Sequence, residues 1–421
     1  MMDNGVNLSP ELIRGAVESV ADAFERMYFD VDAATEMGAR LRTRLAGGAY
    51  AGAESLGYLA AALSKDLREV RNDHHVSVVV SARNEDGDDA AYSEQVYERY
   101  ARDNYGFRRV EVFPGSVGYL DLRLFCPAQV AGATAVAAVN FLAGTRALIF
   151  DLRRNGGGED GMVRLLAGYL FDEATELCSI RHRGLRGLEQ SRSLDYVPGP
   201  RLARLPAYVL TSQTTFSAAE DFTYNLQQRG RAVVVGEQTR GGAHTLEFVP
   251  LPEYGLELGI PEGEAINPIS KGNWEGTGVT PDIVVPADQA LDVAYRHALE
   301  RLRAALTDPG DLFGVDWALD GIRARLQPAI VDAGTLSLYA GNYGLSNHIR
   351  VENGTLHVQH EGYPELAATP LARDLFEYDG GAARVRFEVE GGKAREAVFL
   401  TEDGQTFVCR RSRAGGSDLH S

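Results

Sequence analysis

The stretch "AYVLTSQTTFSAAEDFTYNLQQRGRAVVVGEQ", residues 207–238, decides how the chain is read. A short apolar, β-branched run, AYVLTS, gives way to a helical segment, AEDFTYNLQQRG, and a second apolar run, AVVVGEQ, follows. Upstream, "GSVGYLDLRLF" and "ALIFDLRR" alternate in the same way with "AQVAGATAVAAVNFLAG" and "GMVRLLAGYLF". Such alternation predicts an α/β layer fold with buried strands. Its first junction poses a chemical question, because Ser217 and Glu220 form S-x-x-E, the pattern of a serine that merely caps a helix. A hydrophobic staple would support the cap, yet its two positions are Phe216 and Asp221, and the staple fails. Ser217 is therefore a candidate nucleophile as well as a candidate cap.

The composition limits the remaining possibilities. At 421 residues the chain exceeds a single core, and 44% apolar with 24% charged residues is ordinary for globular domains. Its net charge of −17 repels phosphate backbones and anionic lipid, so neither nucleic acid nor membrane is expected as a partner. The first twenty residues show no basic segment leading into an apolar one, and no apolar run reaches membrane-spanning length. A cytoplasmic chain is the expectation. Cys126, Cys178 and Cys409 are odd in number and far apart, which argues against a disulfide framework. With neither C-x-x-C nor H-E-x-x-H present, neither a metal nor a cofactor is expected.

Working outward, residues 1–70 read as a small helical bundle: Pro10 suits a first helical position, and Ile13, Val17, Val20, Phe24 and Met27 recur along one face. An α/β domain is expected over 71–306, beginning with "VSVVVSA" as its first core strand. A linker with a short helix spans 307–330. Residues 331–412 form an antiparallel β module, with hairpins turning at Asn353-Gly354 and Gly391-Gly392, and 413–421 is a polar tail.

Between a strand and a helix, "DLRRNGGGEDGMV" contains Gly156, Gly158 and Gly161, a literal G-x-G-x-x-G. A dinucleotide site is the rival reading, but the charged "DLRRN" separates the glycines from the strand, and the next strand ends on no clear acid. Consecutive glycines also present bare N–H groups, which suit an anion or the oxyanion of acyl transfer.

Three features, "DLRRNGGG", "TFSAAE" and "NWEGTGVTPD" in that order, resemble the S41 serine peptidases, the class of the C-terminal processing peptidases, the tricorn core and the interphotoreceptor retinoid-binding protein repeats. The resemblance covers roughly residues 60–300. It implies a crotonase/ClpP-like α/β core, and the N-terminal helices are similar to those of the retinoid-binding-protein branch. Ser217 matches the family nucleophile. In the processing peptidases a lysine about 25 residues later is the base, and here that spacing lands on Gly242; the chain has only Lys65, Lys271 and Lys393. The tricorn-like branch uses serine, histidine and glutamate instead, which implies His75 of "NDHHV" as base and Glu275 of "WEGTGVTPD" as acid. That branch's extra serine falls on His74. The resemblance further implies backbone N–H groups of Gly157 and Ala218 as oxyanion donors.

Among the histidines, strand alternation would place His75, Ser77 and Val79 on one face and His74, Val76 and Val78 on the other. His74 and His244 of "GGAHTLEF" remain alternates. Asp151 and Arg153 read as a structural pair, and Asp282 as a residue fixing its own Pro-Asp turn. No PDZ module fits between Ser81 and Phe113, and the β module resembles a lipocalin-like barrel that would serve oligomerisation or as a lid. The expected activity is hydrolysis of peptide bonds in a peptide or protein substrate. The alternatives are a hydrophobic-ligand carrier on the same scaffold, or an acyl-transfer site recruited for small-molecule biosynthesis; a homo-oligomer through either terminal module is compatible with each.

Overall fold

The computed structural model describes residues 8–81, 89–184, 187–327 and 329–412, so the polar tail lies outside the described residues. The chain divides into two compact units, one of residues 1–111 and 118–291, the other of 112–117 and 292–421.

In the first unit the N-terminal helices are α1 (Pro10–Met27), α2 (Val31–Ala46) and α3 (Leu56–Arg68). Each starts on a side-chain cap, Ser9, Asp30 and Ser55, that accepts backbone N–H groups of its first turn. They do not form a bundle with a core of its own. Ile13, Val17, Phe24, Met37 and Leu63 share one core with Val76, Val78, Leu256 and Leu258. Helices this short need an apolar surface to pack on, and a sheet supplies it.

That sheet corrects one expectation. Strand β1 (Ser77–Val80) is not part of the α/β core; it pairs antiparallel with a long strand, Leu256–Ile266. Helix α4 (Asp89–Arg102) leads to β2 (Phe107–Phe113), β3 (Val117–Leu122), α5 (Ala128–Phe141), β4 (Ala147–Asp151) and α6 (Asp160–Gly168). There follow β5 (Glu176–His182), β6 (Glu189–Arg192), β7 (Ala207–Thr211), α7 (Ala218–Gln228), β8 (Ala232–Gly236), β9 (His244–Leu251), β10 (Leu256–Ile266) and β11 (Ile283–Val284). The antiparallel sheet runs β1-β10-β5-β6, with β9 also on β10. Only one face of β1 is buried, as suits an antiparallel sheet covered on one side.

The second sheet runs β11-β8-β7-β4-β3-β2. Strands β4, β7, β8 and β11 are parallel, and β4 and β7 are buried throughout, matching their continuous apolar sequence. Register decides where the chemistry sits. Leu148 lies opposite Ala207 and Asp151 opposite Leu210, so the loops leaving β4 and β7 emerge at the same end of the sheet. The first loop is the glycine run and the second carries Ser217.

The second unit begins earlier than the sequence suggests, at 292 rather than 307, because α8 (Ala290–Ala305) packs with it: Tyr295 donates to the Pro114 carbonyl and its ring meets Phe113 edge-on. Helices α9 (Pro309–Leu326) and α10 (Ala333–Tyr339) precede an eight-stranded antiparallel meander. Two of its hairpins turn at Asn353-Gly354 and Gly391-Gly392, where both residues have positive φ as the tight turn demands. The meander closes on itself: Gly344 N–H donates to the Arg410 carbonyl and Ser412 N–H to that of Asn342, joining first strand to last. Tyr339, Phe376, Phe387 and Phe399 fill its interior. No helix among the described residues is long and apolar enough to cross a membrane.

Candidate active site

Ser217 stands between β7 and α7 with φ 55° and ψ −123°, a conformation that non-glycine residues rarely adopt and that costs about 1–3 kcal/mol. Glu220 over-determines it. This carboxylate has no exposed surface; it accepts the Ser217 N–H at 2.9 Å, the Gly241 N–H at 2.7 Å, the Gly242 N–H at 2.9 Å and the Thr239 hydroxyl. Burial raises its pKa above the usual carboxylate range while the four donors pull it back. Glu220 therefore binds the helix start to the loop 239–242 instead of serving only as a local capping acid.

The Oγ of Ser217 lies 3.0 Å from Nε2 of His75. Residues 74 and 75 form a turn ahead of β1 rather than part of a strand, so the alternation argument does not apply to them. The selection between neighbouring histidines comes from Asp73, whose Oδ1 accepts the His75 N–H at 2.9 Å and so shapes the turn that aims His75 inward. The imidazole packs on Phe216 at 4.7 Å between centroids, while His74 remains half-buried without reaching the serine. Burial pushes the His75 pKa down to about 4, with Asp73 opposing. Near neutral pH it is a neutral imidazole with a nitrogen free to accept a proton.

Behind His75 lies a network of two acids, Asp73 buried and Glu275 half-buried. Asp73 Oδ2 takes the Tyr28 hydroxyl at 3.1 Å and meets His244 Nδ1 at 2.7 Å. Glu275 Oε2 accepts the Ala243 N–H at 2.6 Å and lies 3.6 Å from His244 Nδ1. Burial pushes the Glu275 pKa up to about 7. For His244 burial is the largest influence and lowers the pKa, but the hydrogen bond and charge of Asp73 outweigh it, so the net shift is upward. One atom each of Asp73, His75 and Glu275 converge within 4.8 Å. That spacing would admit a metal ion, but both Asp73 oxygens are already committed to protein donors, which fits a charge network better.

The two expected oxyanion donors are placed differently. Ala218 opens helix α7, so its N–H is among those with no intrahelical acceptor, at the positive end of the helix dipole. The Gly157 N–H instead donates to Asn155 Oδ1 at 2.8 Å, so it is engaged within its own loop. Gly157 nonetheless belongs here: at φ +107°, an added Cβ would come 2.8 Å from Ser217 Cβ and 2.9 Å from the Phe216 carbonyl. Asn155 ties the loops together, since its carbonyl accepts the Phe216 N–H at 3.1 Å. A cleft of about 480 Å³ opens over this arrangement, with Ser217, His75, Ala218, Gly158, His244 and Trp274 in its wall.

Asp151 and Arg153 pair with each other, and Asp151 also accepts the Tyr119 hydroxyl, so they stand apart from the cleft chemistry. Asp282 reaches beyond its own turn to accept the Val234 N–H at 2.8 Å. Sequence reasoning missed Glu220 as a clamp, Tyr28 as a support for Asp73, and Phe216 as the surface under the imidazole. The S-x-x-E pattern was a usable signal for the first; the other two depend on tertiary packing.

The fold is a mixed α/β scaffold that brings a serine and a histidine together. Residues 116–285 match the model for peptidase family S41, and residues 7–103 match that for the N-terminal domain of Peptidase_S41 in eukaryotic IRBP. The chain belongs to peptidase family S41. A carboxyl-terminal-processing protease of Picosynechococcus sp. (strain ATCC 27264 / PCC 7002 / PR-6) is 28% identical over 196 residues, 44% of this chain and 45% of that protein. The chain thus spans about half the length of this curated relative. Among solved structures, a lipoprotein from Streptococcus agalactiae shares the fold at TM-score 0.50 and 15% identity, over 71% of this chain and 99% of that one. A mutant of CPAF does so at TM-score 0.50 and 11% identity, over 73% and 98%.

Proposed function

We propose that this chain hydrolyses peptide bonds through an acyl-enzyme, with Ser217 as nucleophile, His75 as general base and Glu275 as the acid that orients it. The supporting observation is the 3.0 Å approach of His75 Nε2 to Ser217 Oγ, inside a cleft floored by a helix N-terminus. A serine hydroxyl is a weak nucleophile until an imidazole takes its proton. Ser217 Oγ attacks the carbonyl carbon, its proton passes to His75 Nε2, and the carbonyl oxygen becomes an anion beside the Ala218 N–H. Collapse breaks the C–N bond, and His75 returns the proton to the departing amine. Water repeats the sequence on the ester and frees Ser217. The Gly157 N–H joins as a second oxyanion donor by exchanging Asn155 Oδ1 for the substrate oxygen.

The absence of a lysine base fits the same reading. A Cβ added at Gly242, the position reached by the processing-peptidase spacing, would lie 2.8 Å from His75 Cε1. The same Cβ would meet the Phe216 ring first, at 2.3 Å, so the packed Phe216 and His75 rings together leave no room for a side chain at 242.

The test is covalent labelling with a fluorophosphonate, read by intact mass. One adduct on the wild type, absent from Ser217→Ala and slowed in His75→Ala, is expected. Equal labelling of Ser217→Ala would sink the assignment.

A further inference from the structure

The nucleophile's helix carries a second feature that the proposed reaction does not use. Asp221 follows Ser217 by four residues, one helical turn of about 5.4 Å along the same face, and both line the cleft. Asp160, which opens α6 after the glycine run, lines it too. Asn225 Nδ2 donates to Asp221 Oδ1 at 2.7 Å, and Ser191 Oγ donates to Asp160 Oδ1 at 2.8 Å, so both carboxylates are held in position by neutral donors. Asp160 has one distant cation, Arg164 at 3.8 Å; among the described residues Asp221 has no cationic partner. Burial, and secondarily the Asp160 charge, pushes the Asp221 pKa up to about 7. Asp221 is half-buried and faces the cleft with no cation beside it, which leaves a place for a cationic group brought by a substrate.

We infer that Asp221, backed by Asp160, is the specificity determinant of the cleft and selects peptides whose residue on the acyl side of the cleaved bond ends in an ammonium or guanidinium group. The assignment rests on the reading of Ser217 as nucleophile. The surrounding walls fit such a side chain: Ile180, Ala265 and Trp274 are apolar and line the same cleft, where the methylene stem of lysine or arginine would lie while its head meets Asp221. The length also fits, since a four-carbon stem spans about one helical turn. A net charge of −17 draws cationic peptides toward the protein and disfavours acidic ones.

The experiment uses the full chain and N-acetylated peptidyl diphenyl phosphonates carrying lysine-, arginine-, leucine- or glutamate-like side chains at the reacting position. Second-order rates of Ser217 modification are read by intact mass. Lysine and arginine probes should react about tenfold or more faster than the leucine probe, with the glutamate probe slowest, as a charged contact in a desolvated pocket supports. Asp221→Asn should bring the lysine-to-leucine ratio close to one, and Asp160→Asn should lower it partway. Equal wild-type rates, or a ratio unchanged in Asp221→Asn, would overturn the assignment; the wild-type order decides even if that variant does not fold. If neither these probes nor a simple fluorophosphonate modifies Ser217, the nucleophile reading fails and this inference falls with it.

Discussion

The Nδ1 atom of His75 and the Oε1 atom of Glu275 are both buried and both without a hydrogen-bond partner among the described residues, while the two side chains converge to within 4.8 Å. They are complementary. In the proposed mechanism Nε2 accepts from Ser217, so Nδ1 carries the imidazole proton, and Glu275 Oε1 would have to close on it to orient the ring; the two atoms are not hydrogen-bonded here. The pair predicts a two-step acid limb. In a kcat/KM profile, activity should rise through about pH 7 as Glu275 ionises, with a second loss near pH 4 as His75 protonates. Glu275→Gln should remove the upper step and keep the lower; an upper step that persists in this variant would assign it elsewhere.

The same carboxyl predicts a pH-dependent stability difference. Its pKa is raised from 4.5 to about 7 on folding, so its stabilising contribution is complete below 4.5 and is lost as pH rises through 7. Glu275→Gln should therefore gain stability relative to the wild type between pH 5 and 8, by about 1–3 kcal/mol in urea unfolding. A flat difference across that range would contradict the shift.

Replacing Glu220 with alanine strands the Ser217, Gly241 and Gly242 N–H groups and the Thr239 hydroxyl at once. A loss of about 3 kcal/mol or more is expected in chemical denaturation, together with loss of fluorophosphonate labelling. Retained labelling at wild-type rate would show that the clamp does not hold the serine in place.

Gly157→Ala should abolish labelling, because its Cβ would collide with Ser217 and Phe216 from a backbone with φ +107°. Gly156→Ala is the matched control, since a Cβ there meets nothing within 4 Å. Comparable loss in both variants would point to general disruption of the loop.

Tyr28→Phe removes one hydrogen bond from buried Asp73 and leaves the His244 contact intact. A cost of about 1–2 kcal/mol in stability is expected from the unsatisfied acceptor. Rates should change less than in Glu275→Gln, a comparison checked by steady-state kinetics on one fluorogenic peptide.

Much of this arrangement was legible in the sequence because it rests on local patterns. The β4–glycine and β7–serine junctions are strand-to-loop switches visible in the spacing of apolar runs, and parallel register does the rest. The hairpins at Asn353-Gly354 and Gly391-Gly392 are equally local. What escaped depends on partners distant in the chain. "VSVVV" has the composition of a core strand, but its place is set by β10, some 180 residues later. The N-terminal helices show their apolar face in sequence but not what covers it. Asn155's capture of the Gly157 N–H follows from a side-chain rotamer, which no pattern of residue types records.

Gly242 is bare for a steric reason. A Cβ there would come 2.3 Å from the Phe216 ring and 2.8 Å from His75 Cε1, where a loop ahead of β9 meets the turn ahead of β1. A side chain at 242 would therefore press on the Phe216 ring and, through it, on the imidazole packed against it, so the bare glycine and the seating of His75 are one packing arrangement.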